Sequence, residues 1–123
     1  MKVQDVISFI SQYVPFKFYA NDFPRNDNGN CGFVRVNGGL QPDIYILGLK
    51  SPSIQVVIRH KQANKAEELA RSIWDLFHGK EHYYIGSTKV YFSSCDQSEP
   101  VYLGADNNDR TLYSINVTCK VCD

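Results

Sequence analysis

Val3, Val6, Ile7, Ile10, Tyr13 and Val14 recur at steps of three and four. That spacing predicts one apolar stripe on a helix of about three turns, and Pro15 ends it. The alternating run FKFYA (16–20) follows as a short strand, and NDFPRNDNGN (21–30) reads as loop from its Pro, Gly, Asn and Asp content. CGFVRVNGG (31–39) is a β-rich run closed by two glycines. Between Pro42 and Pro52, Ile44, Tyr45, Ile46 and Leu47 are consecutive apolar residues. They fit a projecting loop or edge segment, with a buried strand as the other option.

SIQVVIR (53–59) alternates cleanly: Ile54, Val56 and Ile58 face one side, and Gln55, Val57 and Arg59 the other. A second helix is marked by Asn64 as N-cap, with Glu67 three residues on completing a capping-box pattern. Ala66, Leu69, Ala70, Ile73, Leu76 and Phe77 form its buried stripe, His78 sits in its last turn, and Gly79 caps it. Strand-like YYI, TKVYFS and PVYLG (100–104) come next. In TLYSINVTCKV (111–121), Tyr113, Ile115, Val117, Cys119 and Val121 alternate with polar residues, and the polar ADNND before it predicts a hairpin. Helix, strands, helix, strands without βαβ alternation favours an α+β domain, a mostly antiparallel sheet with two helices packed on one face.

Composition narrows the class. A chain of 123 residues fits one domain, 1–123, with a radius of gyration of roughly 14 Å. Hydrophobic residues make up 43% and charged residues 21%, so the chain has the means to bury a core and is not read as disordered. Thirteen basic residues balance thirteen acidic ones, which argues against a free-standing nucleic-acid binder. No apolar run reaches a membrane span, and polar Gln4, Asp5, Ser8, Ser11 and Gln12 break up any signal-peptide core. The reading is a soluble intracellular protein with Cys31, Cys95, Cys119 and Cys122 as free thiols.

Catalytic chemistry is thin. Cys119-x-x-Cys122 has redox or zinc half-site spacing, but residues three apart on a strand face opposite sides. His78 and His82 would complete a Cys2His2 set only across the helix-breaking Gly79, so packing is preferred to metal. Asp75, His78 and Cys95 include the groups of a nucleophile–base system, yet nothing local unites them. Asp106 to Asp109 lacks the Gly and Glu of a calcium loop and reads as turn chemistry. The acceptor pattern Asn116-Val-Thr118 falls inside a strand. No catalytic residue, metal or cofactor is expected. Arg59, His60, Lys61 and Lys65 form the one local basic cluster. It reads as solvated charge, unless many copies gather it around an axis that DNA traverses.

Taken in order, NGNCGFVRVNGG, SPSIQVVIR, ANKAEELARSIWDLFHG and PVYLGADNNDRTLYSINVTCKV resemble the tailed-phage minor capsid protein family, the tail-terminator (tail-completion) proteins of long-tailed phages. The resemblance runs from Val3 to Val121, is densest at Pro52–Arg59, at Ala70 to Gly79 and at Leu103 to Arg110, and includes no catalytic signature. It implies a structural virion protein assembled in the host bacterial cytoplasm. Such proteins form a homohexameric ring on the head-proximal end of the tail tube, stop addition of major tail tube protein, and dock the head-side connector or stopper. Genomic DNA passes through without sequence specificity, and no membrane is involved. The expected subunit or tube contacts are Tyr45, Ile46 and Leu47, with Phe16 and Phe18 on an edge strand able to pair with a neighbour. Arg59, His60, Lys61 and Lys65 are the candidates for a DNA-facing lumen. Two other readings stay open: a different head–tail joining protein, and a small enzyme or ligand-binding module using Asp75, His78 and Cys95.

Overall fold

The computed structural model describes residues 1–26 and 29–122. The first helix, α1 (Val3–Ser11), buries Val6, Phe9 and Ile10. It is shorter than its apolar stripe, ending at Ser11 with Gln12 as its C-cap. Tyr13 and Val14 still donate their N–H groups to the Ile10 carbonyl at 3.0 and 2.9 Å, which tucks Val14 into the core before Pro15.

Three strands follow: β1 (Phe18–Ala20), β2 (Cys31–Leu40) and β3 (Leu49–His60). β1 runs parallel to β2, whereas β2 and β3 form an antiparallel hairpin. β3 starts earlier than the alternation at 53–59 indicates and carries Pro52 within it. The register of β2 shifts between Asn37 and Leu40 opposite that point, so a bulge accommodates the proline. Gly39 makes the bulge sterically feasible. It has φ +67°, and a Cβ there would lie 1.9 Å from the Ser51 carbonyl oxygen.

Helix α2 (Ala63–Phe77) begins before Asn64, which is a correction to the predicted capping box. Its N-cap is Gln62 with no side-chain cap. The entry is set instead by His60 Nδ1, which accepts the Gln62 N–H at 3.0 Å. At the other end His78 is the extended C-cap residue and Gly79 takes φ +70°. The strands β4 (Lys80–Ile85), β5 (Thr88–Cys95), β6 (Val101–Ala105) and β7 (Thr111–Cys122) complete the chain.

Among the described residues seven strands form one open sheet in the order β1-β2-β3-β7-β5-β4, every pair but β1–β2 antiparallel. β6 also pairs with β7, lying end to end with β5 along the same edge. The predicted hairpin before residue 111 is therefore β6–β7. Ile54, Val56 and Ile58 of β3 and Ile115, Val117, Cys119 and Val121 of β7 meet Ala70, Ile73 and Phe77 of α2 and Val6, Phe9 and Ile10 of α1 in one core. Each such fully buried aliphatic or aromatic side chain contributes about 1.5–3 kcal/mol. α1 touches β1 and β2 at one edge and β4 at the other, so the sheet curls about its helices. The result is the expected α+β architecture.

The second face departs from the simple alternation. Val57 and Arg59, on the side opposite Ile54, Val56 and Ile58, are 4% and 6% exposed. The loop before β2 covers them: Phe23 packs edge-on against Phe33 at 4.8 Å, and the Arg59 guanidinium lies over the Phe23 ring at 4.2 Å.

Candidate assembly interface

The β2–β3 connection is a loop, residues 41–48, not a buried strand. Asp43 organises it. Its Oδ1 accepts the N–H groups of Tyr45 and Ile46, both at 2.8 Å. Its own N–H donates to the Leu49 carbonyl at 3.0 Å, and Leu49 N–H donates to Ile46 at 3.3 Å. The two accepted N–H groups, from Ile46 and Tyr45, hold the Asp43 carboxyl below its usual range. Because short-range bonds fix this backbone, the side chains are not needed to hold it and point outward. Tyr45 and Leu47 are 89% and 93% exposed, and Leu40, Ile44 and Ile46 are also exposed. Exposed apolar side chains gathered on one loop mark an interaction site.

The other sequence candidates separate. Phe18 belongs to the core and packs its ring against Gly32. Phe16 is half-buried, edge-on to Phe18 at 5.5 Å. What this region presents is the short edge strand β1. The basic cluster also divides. Arg59 is buried, with Nε donating to the Gly29 carbonyl at 3.3 Å. His60 stacks on Phe16, and burial together with the nearby Lys65 charge lowers its pKa. Lys61 and Lys65 remain exposed.

A second apolar surface escaped the sequence reading. Tyr102 and Leu103 of β6 are 63% and 50% exposed. Tyr102 lies 5.6 Å ring to ring from Tyr113, and Glu67, Arg71 and Glu99 stand around this site. The available signal was the consecutive apolar run Val-Tyr-Leu in a short strand.

The turn after β6 is locked by charge. Asp106 Oδ1 accepts the backbone N–H groups of Asn108 and Arg110, both at 2.9 Å. Its Oδ2 accepts Arg110 Nε at 2.8 Å, and Arg110 Nη1 reaches the Gly29 carbonyl at 3.4 Å. Burial alone would raise the Asp106 carboxyl, but these N–H groups and the guanidinium hold it below the usual carboxylate range. Arg59 and Arg110 thus both tie Gly29 to the sheet.

Cys119 is buried on the core side of β7, which continues as strand through Cys122, so the pair diverges as its spacing implies. His78 and Cys95 are neighbours, but His78 Nδ1 accepts the backbone N–H of Cys95 at 3.2 Å and its ring stacks on Trp74. The Cys95 thiol donates to the Trp74 carbonyl. Burial pushes both Cys95 and Cys119 up to about 12, opposite to what an activated nucleophile needs. A shallow groove of about 260 Å³ runs past Trp74, His78 and Cys95. Among the described residues no three His, Cys, Asp or Glu side chains converge as a metal site, and no helix is long and apolar enough to cross a membrane.

Among curated proteins, none matches the sequence. The family model described as bacteriophage tail terminator protein matches residues 3–122, and the chain belongs to that family of structural phage tail proteins.

Proposed function

We propose that copies of this chain form a six-membered ring on the head-proximal end of the tail tube, where the ring halts addition of tube protein and presents a docking surface to the head-side connector. The observation that carries this reading is the 41–48 loop. A monomer gains nothing from four exposed apolar side chains at the end of a hairpin, whereas a repeated head-to-tail contact buries them. Membership of a tail terminator family supports the location at the tail end. Zero formal net charge keeps copies from repelling one another.

Genomic DNA passes through the bore in this reading, touched only through phosphate charge multiplied by symmetry. With Arg59 buried, Lys61 and Lys65 are the members of the predicted basic cluster free of burial and able to serve there. Replacing Tyr45 and Ile46 with Asp tests the proposal. The double variant is expected to remain folded and to lose both ring formation and tube capping. Ring formation at wild-type levels would remove the loop from the interface.

A further inference from the structure

Among the exposed apolar groups of the described residues, the 44–47 loop and the Tyr102–Leu103 segment differ in the charge around them. The loop patch, Tyr45 to Leu47, rises from the end of the sheet where β3 meets the last residues of β7, with Leu49 opposite Cys122. Lys50 and Lys120 stand at its base, and Lys89 lies on β5 opposite Cys122. Asp43 is bonded within the loop through the N–H groups of Tyr45 and Ile46. The β6 patch, Tyr102 and Leu103, lies beside the opposite end of β7, where Tyr102 pairs with Tyr113. Here Glu67 and Glu99 share the single positive charge of Arg71, and Glu68 adds a further carboxylate nearby on α2, leaving an acidic surplus. A strand rises about 3.4 Å per residue, so the two patches stand roughly 30 Å apart along β7.

We infer that the apolar loop of one copy docks on the Tyr102–Leu103 patch of the next copy, head to tail, with Lys50 and Lys120 facing Glu67 and Glu99. Two different complementary surfaces at opposite ends of one subunit make a heterologous contact, which closes into a ring when its rotation permits and otherwise runs on as a filament. Apolar burial supplies the affinity, and the opposite charges select the register and speed the encounter. This inference rests on the proposed ring and names the two surfaces that join its subunits.

The test uses two full-length variants. One, Tyr45→Asp with Leu47→Asp, loses the loop and keeps the β6 patch. The other, Tyr102→Asp with Leu103→Asp, loses the patch and keeps the loop. Thermal unfolding of each confirms that it is folded, and Glu99→Lys with Glu67→Lys provides a second patch variant that leaves the apolar residues in place. Sedimentation velocity is then run on each variant, on the mixture and on the wild-type chain up to the solubility limit. The wild-type chain is expected to self-associate, and each variant alone to do so at least about thirtyfold more weakly, the size of a hot-spot loss. The mixture is expected to give a one-to-one dimer that grows no further, because each pair holds one intact contact. For the charge variant, added Lys50→Glu with Lys120→Glu is expected to restore association. A mixture that stays monomeric while the wild type assembles overturns the inference and leaves the ring standing. A wild-type chain that stays monomeric at every concentration also overturns it. A one-to-one dimer formed by a protein whose removal leaves tail tubes unchanged in length keeps the docking pair and overturns the ring at the tube end.

Discussion

At the scale of single residues, the side chains that define this molecule hold backbone in place. Asp106 is the clearest case, accepting two main-chain N–H groups and one guanidinium. Asp106→Ala takes the carboxylate away from the buried Arg110 guanidinium and is expected to cost about 2 kcal/mol in chemical denaturation, moderated by the partial exposure of Asp106. The pH dependence has a definite sign. The folded-state pKa lies below the ordinary 3.8, so the contribution is complete above 3.8 and disappears as pH falls through the lower folded value. The stability difference between wild type and the variant should therefore be constant around neutrality and close only in more acid solution. Cysteine chemistry is predicted to be silent. A thiol moved from 9.0 to about 12 has roughly a thousandfold less thiolate at neutral pH, so Cys95 and Cys119 should resist iodoacetamide until the protein unfolds. Rapid alkylation of Cys95 in the folded chain would revive an enzymatic reading.

At the scale of elements, the β2–β3 hairpin depends on its bulge. Gly39→Ala forces a side chain into the left-handed region and onto the Ser51 carbonyl, so a loss of about 3 kcal/mol or more is expected from denaturant titration. The alanine variant unfolding at the wild-type midpoint would show that the bulge relaxes freely. This hairpin also marks how far the sequence is legible. The alternation at 53–59 and 111–121 identified the two central strands, because a half-buried sheet writes its period directly into the residues. Two prolines around Ile44 to Leu47 left a projecting loop as one of two options, and the Asp43 turn explains why it prevails. What stayed hidden was long-range. Burial of Val57 and Arg59 follows from a loop folding back over the second face, which no local period records. The start of α2 is set by His60 on the preceding strand, so the local capping pattern at Asn64 misplaced it by two residues. The parallel pairing of β1 is likewise a tertiary outcome that a strand of three residues does not specify by itself.

At the scale of the whole molecule, the exposed apolar patches at 44–47 and at Tyr102–Leu103, on a chain of zero formal net charge, resist a monomeric explanation. Activated nucleophiles and converging metal ligands, the usual marks of turnover, do not emerge among the described residues. Contacts repeated between copies would convert both patches into buried surface, and the balance of charge lets those copies approach. The most direct measurement is the length distribution of tail tubes, by electron microscopy, assembled from the other tail proteins with this chain absent, present, or carrying Tyr45→Asp and Ile46→Asp. The expected result is overlong tubes of irregular length in its absence, a single regular length with the wild-type chain, and overlong tubes again with the variant. Tubes of ordinary length that merely fail to carry heads when the chain is absent would contradict termination and assign it instead to the joint between tail and head.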